Sequence, residues 1–236
     1  MKLARDGALH GTLVVAEEQT EGKGRAGRHW FTPPNSAVAL SLLLRLEEIP
    51  IDVIGDLTAL GAIAVTEAIE MLGIEGKIKW PNDVMLLGKK AAGILVEGSW
   101  IGDQLEHVIL GIGINVRPES VPPKEKVEIP AICVDTAVGA RTDRHDLILH
   151  VVEGVGKWLP KLGSPVFVHT WNQRLAYQDE LVVVKLPEEE IVGKLRGVDV
   201  GGRLQLTLKT GETIEVAFGD VQLRPVDMKS KSAKLV

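Results

Sequence analysis

Cysteine is nearly absent from this 236-residue chain, Cys133 standing alone. That excludes an internal disulfide framework and a cysteine-rich zinc site, and fits a reducing compartment. With no activating neighbours in sequence, Cys133 reads as a buried structural thiol. The histidines, His10, His29, His107, His145, His150 and His169, show no metal-ligand spacing and default to solvated or packed side chains. A nucleophile elbow and a metalloprotease motif are missing too. The N-terminal stretch MKLARDGALHGTLVV lacks the apolar core and cleavage site of a signal peptide, its short apolar runs being broken by Arg5, Asp6 and His10. Long uncharged apolar runs are also wanting: the most apolar region, VIGDLTALGAIAVTEAIEMLGI, carries Asp56, Glu67 and Glu70 and reads as a buried helix, not a membrane span. A net charge of -5 leaves no broad basic face for nucleic acid. Together these absences predict a cytoplasmic protein with neither nucleic acid nor membrane as partner.

What is present suits one medium domain, or one domain with a small appendage: 45% of residues are hydrophobic and 25% charged. Against the acidic background one basic stretch stands out, EGKGRAGRHW, Glu21 to Trp30. Gly22, Gly24 and Gly27 have the spacing of a dinucleotide-binding fingerprint, but that motif must open a helix, and Pro33-Pro34 follow. The remainder is a glycine loop carrying Lys23, Arg25 and Arg28, whose backbone can approach a ligand closely. Such a loop suits an anion, phosphate above all; taken alone, a solvated basic turn is the ordinary reading.

Along the chain, the β-branched run Thr12 to Ala16 precedes the loop, and Ser36 to Leu46 is too continuously apolar for a strand with one wet face, so it predicts a buried central strand. A long helix is expected from Pro50 to about Leu72, closed by Gly73. GKIKWPNDVMLLGKKAAGILVEGSW and DQLEHVILGIGINV predict consecutive antiparallel strands around turns at Pro81-Asn82-Asp83 and Gly88-Lys89. Val116 to Pro130, rich in Pro, Glu and Lys, predicts a mobile surface segment covering or bordering the site. Helices follow in TDRHDLILHVVEGVGKWL, with Thr142 or Asp143 as N-cap, and in SPVFVHTWNQRL. The texture changes near Tyr177, and the short strands from Leu181 to Leu223 predict a small β-barrel. The tail DMKSKSAKLV is expected to be disordered. No internal repeat is evident.

Four stretches, AEEQTEGKGRAGRHW, KIKWPNDV, KKAAGILVE and GIGINV, resemble the biotin protein ligases in order and approximate spacing, and the resemblance runs from about Gly7 to Leu223. It implies an α+β fold, a mixed β-sheet with helices of the class II aminoacyl-tRNA synthetase and biotin synthetase-like type, over residues 1–176, an SH3-like C-terminal barrel over 177–226 and a disordered tail over 227–236. No DNA-binding helix-turn-helix precedes the ligase part, so the non-repressor type is the one resembled. The implied reaction has two steps: biotin and ATP, with Mg2+, form biotinyl-5'-adenylate, and a lysine of the biotin carboxyl carrier protein, a subunit of acetyl-CoA carboxylase, takes the biotinyl group.

By the same resemblance Lys79, Arg25 and Lys23 are the candidate catalytic residues, with Gln19, Gly22, Lys23, Gly24, Arg25, Arg28, Trp30, Lys79, Lys90, Gly93, Ile94 and Asn115 binding biotin and ATP. The chemistry agrees: an anionic carboxylate must approach an anionic triphosphate, and cations neutralise that approach. Thr20 to His29 is expected to order around the adenylate. Ile94 to Val96 is expected to line the biotin pocket. The residues leave some readings open: Lys79 as a salt-bridged surface lysine, Trp30 as a core residue or an adenine platform, Lys90 as an ordinary hairpin lysine, Asp83 as turn-former or aid to magnesium. Family members begin with a strand and a Ser-Thr-Asn type motif that contacts biotin, whereas this chain starts inside the following helix, at MKLARDGA. The missing segment would remove an early strand and part of the biotin pocket and leave an unpaired sheet edge; either the natural chain is longer, favoured because the other motifs are intact, or the shortened chain exists and is crippled or altered. Lys23 stands where Arg is common, keeping charge but losing bidentate geometry. Alternatives carried forward are a lipoate or octanoate transferase and a module that only binds biotin or its adenylate. Homodimers are common in the family, and the residues leave the oligomeric state open.

Overall fold

Leu40, Leu42 and Leu44 share a strand with the equally buried Ala37, Ala39 and Leu43, because both faces of that strand are covered. In the computed structural model, which describes residues 1–45, 54–101, 104–127, 129–186, 189–217 and 222–226, this strand is β2, Ala37–Leu44. It lies inside a six-stranded antiparallel sheet with β1 (Leu13–Val15), β3 (Lys77–Lys79), β4 (Asp83–Leu86), β5 (Lys89–Ile101) and β6 (Gln104–Asn115). The order is β1-β2-β6-β5-β4-β3. A four-residue helix α1, Lys2–Arg5, precedes β1. As the alternating pattern of VILGIGIN requires, Val108, Leu110, Ile112 and Ile114 of β6 point into the core while Gly111 and Gly113 face the other way, toward the cavity described below.

The core face is covered by α2, Ile54–Glu70, buried nearly all round, and it is backed in turn by α4, Arg144–Trp158, and α5, Pro165–Arg174. The short helix α3, Val134–Val138, precedes α4 in the chain. The expected start of the long helix at Pro50 lies outside the described residues; Gly73, at φ +83, closes the turn after it as predicted. Gly154 lets α4 come close to α2, since a methyl there would stand 3.0 Å from the Ala64 side chain. Of the two proposed caps Asp143 does the work, accepting from the backbone N–H of His145 and Asp146, while Thr142 is buried.

Five further strands, β7 (Leu181–Lys185), β8 (Glu190–Val198), β9 (Leu204–Thr207), β10 (Thr213–Val216) and β11 (Gln222–Pro225), form a second antiparallel sheet in the order β10-β9-β8-β7-β11. It shares the first sheet's core. Trp80, fully buried, donates its Nε1–H to the Gly202 carbonyl at 2.9 Å, and Asn172 exchanges two hydrogen bonds with the backbone of Val198. The tail 227–236, expected to be disordered, lies outside the described residues. Among these residues no helix is long and apolar enough to cross a membrane.

Candidate active site

The basic stretch forms an arm that folds back over the sheet. Two short bridges, Gln19 with Thr32 and Lys23 with His29, hold its limbs together, and the tip turns through a 3-10 segment, Arg25–Gly27. Ala26 at φ +54 and Gly27 at φ +71 make that turn. The Gly24 amide donates to the Arg28 carbonyl at 2.7 Å and the Trp30 amide to the Gly22 carbonyl at 2.8 Å. Gly22 permits the closure, because a side chain there would overlap the Trp30 carbonyl.

Between arm and sheet lies a cavity of about 1220 Å3. Gln19, Lys23, Gly24, Arg25, Arg28, Trp30, Asn82, Asp83, Lys90, Gly93, Ile94 and Asn115, drawn from four separated stretches of sequence, all line it. The glycines of β5 and β6 form its floor: a methyl at Gly113 would overlap the Trp30 indole, and one at Gly93 would come within 3.1 Å of it. The half-buried Trp30 ring thus rests on the floor of the cavity, with the Lys90 ammonium 5.5 Å from its centroid. Strand periodicity refines the reading of Ile94 to Val96. Gly93 and Leu95 face the cavity, whereas Ile94 turns its side chain onto Gly61 of α2 and borders the cavity through its backbone, and Val96 packs on the core. That backbone is used: Asn82 Nδ2 donates to the Ile94 carbonyl and the Ile94 amide to the Asn82 carbonyl, each at 2.9 Å. Arg25 in turn reaches Asn82 Oδ1 at 3.4 Å, joining arm to turn.

The register of the β4–β5 hairpin brings two lysines to one carboxylate. Asp83 accepts from Lys90 at 2.5 Å and stands 3.7 Å from the Lys79 ammonium. Lys79 is only 5% exposed and is not among the cavity-lining residues; it sits behind Asp83. It is therefore no surface lysine. Burial holds its ammonium below the ordinary lysine value; the Asp83 carboxylate opposes this, and the like charges of Lys90, Arg224 and Arg28 reinforce it. Asp83 is neutralised from two sides, and among the described residues no three carboxylate, histidine or cysteine groups gather to hold a metal ion. Asp83, already paired with two ammonium groups, is therefore no ready ligand for a resident ion.

Pro122, Pro123, Val127 and Ile129 line the cavity, so the Pro-rich segment borders it as expected, although Val116 and Ser120 within it are buried and Arg117 is anchored to the Ser36 carbonyl at 2.8 Å. Asn115 donates to the Ile132 carbonyl at 3.3 Å. Cys133 is buried with its sulfur 3.0 Å from the Thr136 hydroxyl, a structural thiol. Sequence reasoning did not single out Thr32, whose hydroxyl donates to Gln19 Oε1 at 2.8 Å, nor His29 as a lining residue. It also passed over Arg224, which acts on Lys79 from the second sheet. No local signal marks these; they become visible once strands are paired.

Comparison with known proteins places the chain in a family. Residues 5–115 match the Biotin/lipoate A/B protein ligase family and residues 180–224 the Biotin protein ligase C terminal domain. The biotin--[acetyl-CoA-carboxylase] ligase of Mycobacterium tuberculosis is 33% identical over 224 residues, 90% of this chain and 79% of that protein. The chain belongs to the biotin protein ligase family. Within that family, the ligase of Aquifex aeolicus solved in complex with biotin and ATP superposes on this biotin protein ligase fold with a TM-score of 0.81 at 30% identity, covering 95% of this chain and 94% of that one. The match to the bifunctional ligase/repressor BirA of Bacillus subtilis, 41% identical over 152 residues, spans 64% of this chain and 46% of the repressor's length.

Proposed function

We propose that this chain is an ATP-dependent biotin--[biotin carboxyl-carrier protein] ligase, which activates biotin as biotinyl-5'-AMP and passes it to one lysine of an acetyl-CoA carboxylase carrier subunit. The observation that carries the reading is the cavity in which a cationic arm faces a glycine floor. Its volume of about 1220 Å3 exceeds the roughly 300–1,000 Å3 of a site for one drug-sized ligand, and suits a nucleotide and a second acid side by side. The match of residues 180–224 to the Biotin protein ligase C terminal domain supports biotin over lipoate or octanoate as that acid.

In the first step the biotin carboxylate attacks the α-phosphorus of ATP and pyrophosphate leaves. Lys79 and Lys90, fixed by Asp83, supply positive charge where the carboxylate and α-phosphate meet, and Lys23, Arg25 and Arg28 fold over the polyphosphate. Each charge-assisted hydrogen bond contributes about 1.5–3 kcal/mol, enough for two or three to hold the arm down on the adenylate. Gln19 and the backbone around Gly93 hold biotin, while Trp30 and Asn115 flank the adenine. In the second step the carrier lysine amine attacks the mixed anhydride and AMP leaves. At pH 7 an ordinary lysine is neutral only to a few parts in ten thousand, so alignment of the amine beside the anhydride supplies much of the rate. The reading assigns residues 1–176 to the catalytic unit and 177–226 to the C-terminal unit, and includes a cytoplasmic location and a homodimer as its assembled form.

Biotin-dependent ATP–pyrophosphate exchange on the 236-residue chain tests the first step without the carrier protein. Exchange is expected with biotin and not with lipoate or octanoate; its absence with biotin sinks the proposal.

A further inference from the structure

Both feet of the arm meet one arginine that no sequence motif marked. The feet are Glu17 and Asn35: the Asn35 amide donates to the Glu17 carbonyl at 2.9 Å, and just inside them the Gln19 amide donates to the Thr32 carbonyl at 3.1 Å. Arg144, at the start of α4, has a side chain only 12% exposed. Its Nη2 donates to the Glu17 carboxylate at 2.6 Å and to Asn35 Oδ1 at 3.4 Å, while Nη1 donates to the Ala37 carbonyl at 3.0 Å, where β2 begins. Asn35 itself stands at φ +54, and Arg117 Nε donates to its carbonyl at 3.2 Å. A planar guanidinium with donors in a fixed fork can hold three acceptors on two chain segments at once; a lysine ammonium on its flexible stem cannot hold them in the same plane.

The helix behind this guanidinium is firmly seated. Leu147, Val151 and Val155 of α4 are buried against α2, and Asp143 caps its first turn. The arm, by contrast, is mostly exposed between Thr20 and His29. The geometry points to Arg144 as a positioning residue for the arm: by tying both feet to α4 it sets the direction in which Gln19, Lys23, Arg25, Arg28 and Trp30 face the cavity. Arg144 lies off the cavity wall and acts only through those residues. Because Glu17 is 56% exposed, the ion pair alone is a weak stabiliser, and its loss loosens the arm more than the fold. The kinetic consequence rests on the ligase reading; the conformational one does not.

Amide hydrogen exchange on the full chain separates these effects, comparing wild type with Arg144→Ala, Arg144→Lys and, as a control on the same helix, Lys157→Ala, which removes the 3.0 Å pair with Glu67. Residues 18–34 are expected to exchange about tenfold faster in Arg144→Ala, and faster than wild type in Arg144→Lys, while α2 and α4 keep their protection. Lys157→Ala is expected to leave the arm unchanged. In pyrophosphate exchange, Arg144→Ala is expected to raise the KM for ATP about tenfold with kcat within about twofold, because a looser arm weakens ground state and transition state alike. Unchanged exchange of residues 18–34 in both Arg144 variants overturns the inference, as does protection lost equally from α2 and α4. A wild-type chain without adenylation removes the ligase reading and leaves the hydrogen-exchange comparison to decide Arg144.

Discussion

Two sets of cations gather around the cavity in opposite environments, Lys79 standing behind its wall. Lys79 and Lys90 stand on paired strands, held by the Asp83 carboxylate, and Lys79 is so deeply buried that its charge is disfavoured. Lys23 and Arg28 stand on the arm, exposed to water, with Arg25 partly covered and reaching Asn82. The first set is pre-organised, its desolvation met during folding, so it needs no rearrangement as charge develops. The second, in water, is weak by itself and would gain strength only where a ligand excluded that water. On the ligase reading proposed above, a site that holds a reactive adenylate and admits a protein substrate would combine one fixed set with one on an exposed arm.

The largest expected consequence of this contrast is in chemistry. Lys79→Met should lower biotin-dependent pyrophosphate exchange by on the order of 10²–10³-fold with the fold intact by circular dichroism; near-normal turnover would take Lys79 out of the site. Next comes stability. Asp83→Asn leaves two ammonium groups without their shared carboxylate and should cost about 3 kcal/mol in urea unfolding, whereas an unchanged midpoint would show that the lysines do not depend on it. Smaller is the effect on the arm: Lys23→Ala should raise the KM for ATP about tenfold at low salt, and the gap to wild type should narrow at about 0.5 M salt, since exposed charges are screened and buried ones are not. A Lys79→Met defect that shrank equally with salt would erase the distinction between the two sets.

The smallest effect concerns pH. Lys79 has its folded pKa below the ordinary value of 10.5, so between the two values the unfolded chain binds the proton that the folded chain lacks. Stability of wild type relative to Lys79→Met therefore rises with pH through that window. Urea midpoints of both proteins followed from about pH 7 to pH 10 check the sign, and a constant difference would place Lys79 in water.

Much of the fold was legible because it follows from local chemistry. The apolar run around Leu40 could only be a covered strand, Asp143 precedes an amphipathic run as caps do, and Gly73 stops a helix by adopting a backbone that other residues resist. The glycine arm and the KWPND turn advertised the site through residue types that structure alone rarely requires together. The rest was hidden because it depends on which residues meet. Nothing in KKAAGIL says that Lys90 shares a carboxylate with Lys79, that Ile94 turns away from the cavity its neighbours line, or that Trp30 lies on Gly113.

By itself, then, the sequence determined the segments, their order and the chemical character of the site: cations on a glycine loop and a polar turn after a strand. Only the tertiary structure decided which cations are buried and which are exposed, and that Arg144, more than a hundred residues from either foot of the arm, meets both feet. The physical reason is that side-chain type and period are local properties, whereas burial, charge pairing and the direction of a loop arise from neighbours that pairing of distant strands and packing of helices bring together.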